Sequence, residues 1–233
     1  MFIIRGYPRC GTEMLRTALD THSKIRCHGE LFNDKYAPQL ESMGITRYLQ
    51  SHKLSATDGL VLSAGPTSGN EVVQAATKQL LSSAETLAIP MISIQRRDLL
   101  RLAASDVIAR TTGVYHVYLH EKPNRTTHTL VMTPPQLCRA VDHARRAFDS
   151  TSVLYPWAKV VMYEDLVRDW EDQLNDILDY IGVDHELIGA MTRRQEVRRI
   201  QDIVYNYAEL KAVLYDSRPD IFDIAEECDD LFK

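Results

Sequence analysis

At 233 residues, with 45% hydrophobic and 25% charged side chains, the chain falls in the range of an ordinary globular protein long enough to bury a core without covalent staples. A net charge of −5 excludes a chain built for non-specific nucleic-acid binding, so any anion site must be local. Cys10, Cys27, Cys138 and Cys228 form no CxxC pair and no zinc-ligand spacing, which points to a reduced, cytoplasmic chain.

Met1 to Gly6 reads as strand, leaving no room for a cleavable leader, and no stretch approaches the roughly 20 uninterrupted apolar residues of a membrane span. Phe2-Ile3-Ile4 is the apolar run of that strand, and Met14, Leu15, Ala18 and Leu19 then fall at helical spacing between Thr12 and Asp20. A polar stretch follows from Thr21 to Asn33. Ile45, Tyr48 and Leu49 suggest a short helix, and Leu60-Val61-Leu62 a second strand.

The run from Glu71 to Leu87 carries Val72, Val73, Ala76, Leu80 and Leu81 on one side, Pro90 stops it, and Met91-Ile92-Ser93-Ile94 reads as a buried strand. Helix is expected again from Asp98 to about Arg110. His116 to Thr129 has no periodicity and reads as a loop or flap. Helical spacing returns from Pro135 to Phe148, Lys159 to Met162 reads as strand, and Trp170 to Ile181 as a helix closed by Gly182. Strands alternating with helices imply a parallel sheet covered on both faces, and residues 1–233 are expected to form one domain.

Gly6-Tyr7-Pro8-Arg9-Cys10-Gly11-Thr12-Glu13 joins the first strand to the first helix. Backbone N–H groups and the helix dipole there can receive a phosphate or sulfate, with Arg9 as fixed positive charge. The spacing is that of a P-loop, yet Gly11 is followed by Thr12-Glu13 and not by Lys-Ser or Lys-Thr. A P-loop nucleotide kinase would therefore lack its phosphate lysine and its magnesium hydroxyl.

Pro8-Arg9-Cys10-Gly11-Thr12-Glu13-Met14-Leu15 resembles the donor-binding loop of the sulfotransferase superfamily that uses 3′-phosphoadenosine 5′-phosphosulfate (PAPS). The usual form there is Pro-Arg/Lys-Ser-Gly-Thr-Thr and two apolar residues, so Cys10 and Glu13 depart from it. Arg97, with Ser105 eight residues on, is similar to that family's 3′-phosphate motif, and Arg96 is the alternative arginine. The continuation Ala109-Arg110-Thr111-Thr112-Gly113 resembles the bacterial trehalose-sulfotransferase branch. Tyr163-Glu164-Asp165-Leu166 with Ile181-Gly182 resembles a third family stretch, of scaffolding character. Arg193, Arg194, Arg198 and Arg199 precede a segment similar to the family's Asn-Tyr-x-Glu-Leu ending, Asn206 to Leu210; the resemblance implies a basic loop closing over the 3′-phosphate, with Arg194 and Arg198 foremost among four open choices.

The resemblance implies an α/β, P-loop-like three-layer fold with a central parallel sheet flanked by helices. It implies a donor, PAPS, held at its 5′ end by Arg9, Cys10, Gly11, Thr12 and Glu13 and at its 3′ end by Arg97 and Ser105, and transfer without a metal. The matching base is Glu30, in Cys27-His28-Gly29-Glu30, and His28 is its rival. The acceptor is expected to carry its hydroxyl on a sugar, glycolipid or small metabolite; neither its identity nor an oligomeric state is legible. The departures at Cys10 and Glu13 keep open a non-catalytic nucleotide-binding protein of the same fold.

Overall fold

A computed structural model of the chain describes residues 1–63, 70–121, 129–192 and 198–229. Apolar runs of four or five residues bounded by turns form the strands β1 (Phe2–Gly6), β3 (Gly59–Ser63), β4 (Met91–Gln95) and β5 (Lys159–Met162), with a two-residue β2 (Cys27–His28) at the edge. They pair in parallel in the order β2-β3-β1-β4-β5. The expected central parallel sheet flanked by helices is present.

Side-chain alternation divides the core between the sheet's two faces. Ile3, Leu60, Leu62 and Met91 pack against α2 (Ala37–Ser51) and α3 (Glu71–Thr86). Phe2, Ile4, Val61, Ile92, Ile94 and Val161 face α1 (Thr12–Leu19), α4 (Leu99–Thr112), α5 (Pro134–Leu154) and α7 (Trp170–Ile181). Short α6 (Tyr163–Arg168) and the closing helices α8 (Ile200–Ile203), α9 (Tyr207–Leu214) and α10 (Pro219–Cys228) complete the second layer.

Local chemistry sets the helix ends. The Asn70 side chain accepts from the N–H of Val72 at 2.9 Å to open α3, and Asp98 accepts from Arg101 N–H at 2.8 Å to open α4. Gly182 closes α7 at a φ of 72°.

Four features depart from the expectation. β2 lies inside the polar stretch, where two residues are too few to show a period. α2 is 15 residues long and bends at Gly44 (φ 68°, ψ 161°), which breaks its apolar stripe. α5 runs on to Leu154, although Val153 and Leu154 are exposed and mark no buried face. The C-terminal residues 200–228 are largely helical in short pieces. Among the described residues no helix is long and apolar enough to cross a membrane.

Candidate functional site

β1 is the strand from which the chain departs to both sides, so the loop after it opens at a topological switch point on the sheet's carboxyl edge. Gly6 stands beside Ile94 in register, and a Cβ on it would lie 2.6 Å from Ile94 Cγ2. The chain then tightens, with the Cys10 N–H donating to the Tyr7 carbonyl at 3.2 Å. Arg9 (φ 71°) and Gly11 (φ 92°) both take left-handed backbone. A Cβ on Gly11 would sit 2.6 Å from Tyr163 Cδ2, so glycine serves both the angle and the close approach. Gly11 also caps α1 without a side chain, and no side chain closes the first N–H groups of that helix.

Left-handed backbone costs a non-glycine residue about 1–2 kcal/mol, so Arg9 needs a restraint. Arg96, the first residue after β4, provides it by donating from Nη1 to the Arg9 carbonyl at 3.1 Å. The register that sets Gln95 beside Met162 also brings Arg96 against Tyr163, its guanidinium 4.7 Å from the ring centroid. Glu164, 1% exposed, accepts from the N–H of Arg97 at 3.0 Å and of Asp98 at 3.1 Å, and lies 3.9 Å from Arg96 Nε. Arg96 is 7% exposed, yet its Nε has no hydrogen-bond partner. The Arg96 guanidinium, met by Glu164 only at ion-pair distance, lines a cavity together with a helix start that no side chain caps, an arrangement suited to an anion.

Arg9, Gly11, Arg96 and Tyr163 help to wall a cavity of about 400 Å³. Its polar lining includes Arg9, Thr12, Glu13, Arg96, Arg101 and Ser105, and its apolar lining includes Ile108, Val117 and Trp170. Arg9 Nε donates to Ser105 Oγ at 3.0 Å, and its Nη1 to the Tyr115 carbonyl. Burial first, and then the charge of Arg96, hold the Arg9 pKa below the usual guanidinium value; an anion between the two arginines would relieve that repulsion. Arg101 is anchored by Asp98 at 3.2 Å, by the Arg198 carbonyl at 2.8 Å and by Asp229.

Of the residues singled out in the sequence, Arg9, Gly11, Thr12, Glu13 and Ser105 line this one cavity. Cys10 is fully buried behind it in the core, and burial pushes its thiol pKa far up. Arg97 is turned outward into a two-pronged ion pair with Asp165, both contacts 2.6 Å, and Arg96 occupies the cavity wall in its place. Arg198 contributes its carbonyl to Arg101, while its side chain donates to the Asp202 carbonyl at 3.4 Å. Arg193 and Arg194 lie outside the described residues.

His28 is directed toward the opposite, amino edge of the sheet, where its Nε2 lies 3.2 Å from Asp58 Oδ2. Glu30 stands beyond β2, exposed on the carboxyl-edge side and outside the cavity lining; crowding by the surrounding chain, and then the Glu13 charge, raise its pKa. Glu13 accepts from Arg16 Nε at 2.8 Å and Nη2 at 2.7 Å and from the Tyr118 hydroxyl at 2.8 Å. Burial alone would raise the Glu13 pKa, but Arg16 and Tyr118 outweigh it and leave the carboxyl below its ordinary value.

Tyr115, His116 and Arg101 also line the cavity; the segment after α4 that carries the first two has no period and reaches the site by folding back to Glu13 of α1, and Arg101 lies within α4 with no motif to mark it. Among the described residues no three His, Cys, Asp or Glu side chains are grouped to hold a metal ion.

No protein-family model and no curated protein sequence matches the chain. Solved structures do. A sulfotransferase from Alicyclobacillus acidocaldarius superposes with a TM-score of 0.53 at 15% identity, over 97% of this chain and 95% of that one. The sulfotransferase domain of the Synechococcus PCC 7002 olefin synthase gives 0.51 at 16% identity, over 97% and 93%. At such identities it is the path of the backbone that is shared, and the chain has the sulfotransferase fold.

Proposed function

We propose that the protein is a sulfotransferase that moves a sulfuryl group from PAPS to an acceptor hydroxyl. The observation that carries this reading is the convergence of Arg9, Arg96, Ser105 and the uncapped start of α1 on one cavity at the carboxyl edge of the sheet. A donor with phosphate groups at both ends of a nucleoside suits that wall: N–H groups of α1 and Arg9 for the 5′ end, Ser105 and Arg96 for the 3′ end. The apolar side chains of the lining, Ile108, Val117 and Trp170, suit the base. PAPS supplies an activated sulfuryl group whose leaving oxygen stays on phosphate.

Within this reading Arg9 and the α1 N–H groups stabilise the negative charge that builds on the leaving phosphate. Glycine at position 11 lets the backbone come close without a Cβ in the way. Ser105 accepts from Arg9 Nε and so holds that guanidinium on the cavity wall. The missing lysine after Gly11 disfavours a P-loop kinase.

The test is titration calorimetry with adenosine 3′,5′-bisphosphate, the desulfated product. Binding without magnesium, tighter than binding of ATP, is the expected result, with at least a tenfold loss in Arg96→Ala. Absence of binding, or tighter magnesium-dependent binding of ATP, removes the reading. Binding without transfer from PAPS to any hydroxyl leaves a nucleotide-binding protein on a sulfotransferase fold.

A further inference from the structure

Transfer to a hydroxyl needs a group that takes its proton, and few side chains lining the cavity have a lone pair to offer. Arginine carries donors only, and a tyrosine phenol donates at neutral pH. Glu13 is a carboxylate, but both its oxygens are occupied by Arg16 and one also by Tyr118. Among the described residues that line the cavity, His116 is then the group left to accept a proton.

We propose that His116 is the general base of the transfer proposed above, with Glu13 as the residue that positions it and balances its imidazolium; the inference rests on that reading of the site. His116 is bracketed by two anchors. One residue before it, the Tyr115 carbonyl accepts from Arg9; two residues after it, the Tyr118 hydroxyl donates to Glu13. The backbone that carries the imidazole is thus pinned to the cradle on both sides, and the residue is exposed at the cavity, where an acceptor can reach it.

The charged groups facing the ring are Glu13 and Arg16 of α1 and Arg9 of the loop. Crowding on the cavity side lowers the His116 pKa, Arg9 and Arg16 act in the same direction, and Glu13 opposes them. The imidazole is therefore neutral at pH 7, with a lone pair on one ring nitrogen. In the transfer that nitrogen takes the proton of the acceptor hydroxyl as its oxygen bonds to sulfur, and the bond between sulfur and the bridging oxygen breaks with its electron pair left on the phosphate. The imidazolium so formed lies beside the Glu13 carboxylate. This gives position 13 a reason to be glutamate where the resembled loop has threonine.

The experiment has three arms. Ring-resonance titration of the whole protein, with His116 assigned by its loss in His116→Gln, should give a midpoint below about 6.5 and a still lower one in Glu13→Gln. Calorimetry with adenosine 3′,5′-bisphosphate tells whether the donor seat stands in wild type and in His116→Gln. Sulfuryl transfer from PAPS to trehalose, glucose, 2-naphthol and water should fall about 10²–10⁴-fold in His116→Gln. The wild-type rate should rise with pH through the ring midpoint, and the variant should lack that limb.

A midpoint above 6.5 overturns the proposal, as does transfer within threefold of wild type in His116→Gln. A loss confined to Glu30→Gln, or donor binding by wild type with no transfer even to water, overturns it too. Failure of wild type to bind the bisphosphate removes the donor reading itself, which the other outcomes leave standing.

Discussion

Replacing Gly11 by alanine tests the geometry of the cradle without touching a charged group. Alanine at a φ of 92° bears the left-handed backbone cost of about 1–2 kcal/mol, and its methyl would arrive 2.6 Å from Tyr163 Cδ2. Tyr163 yields only by leaving the face of Arg96, so overpacking adds about 1–3 kcal/mol and the whole loss is about 2–5 kcal/mol. Gly113 is the internal standard. Its φ of 71° is similar, but nothing lies within 4 Å of a Cβ built there, so Gly113→Ala should lose only the backbone part, about 1–2 kcal/mol. Urea melts followed by the fluorescence of Trp157 and Trp170 measure both variants. The decisive quantity is the difference between them, about 1–3 kcal/mol at constant m-value. Equal losses in the two variants would refute the claim that Gly11 is required by the approach of Tyr163.

Other outcomes follow from the same contacts. Glu13→Gln should lower stability at pH 7 by about 1–3 kcal/mol through its charged hydrogen bonds. Because the folded pKa of Glu13 is depressed, its contribution is present above the unfolded value of about 4.3 and is lost as pH falls through the folded one. The gap between wild type and variant should therefore close in acid; a gap unchanged between pH 3 and pH 7 would contradict this. Arg97→Ala should cost under about 1 kcal/mol, as expected for a largely exposed pair, and weaken bisphosphate binding far less than Arg96→Ala; the reverse order in calorimetry would reject the placement of Arg96 at the site. Native-state alkylation at pH 8 should mark Cys138 alone, since burial pushes the thiols of Cys27 and Cys228 up to about 12 and that of Cys10 further; mass spectrometry would show one adduct folded and four in denaturant. Asn70→Ala should cost about 1 kcal/mol by removing the cap of α3, read from the same urea melts.

What could be read from the sequence was whatever repeats within a few residues. Phe2-Ile3-Ile4, Leu60-Val61-Leu62 and Met91 to Ile94 announced strands because each is a buried run, and Asp98 and Gly182 marked helix ends by their own chemistry. The cradle was legible for the same reason: Gly6, Arg9, Gly11 and Thr12 act within one turn of chain. Long-range placement was not legible. Nothing local distinguishes Arg96 from Arg97, and the choice is made by β5, whose register delivers Tyr163 to one and Asp165 to the other. His28 and Glu30 are two residues apart, yet the first is directed toward Asp58 at the far edge of the sheet. His116 gained its place from the hydrogen bonds of Tyr115 and Tyr118, which no spacing encodes.

Arg101 has a consequence for handling the protein. Its guanidinium, 3% exposed, fastens Asp98 at the start of α4, the Arg198 carbonyl and Asp229, the residue after α10. Trimming the tail back to Cys228 would strip one of the two carboxylates that hold this nearly buried cation. The slackening would be felt at the wall of the ligand chamber, so a clipped preparation would behave as though the site itself had been injured.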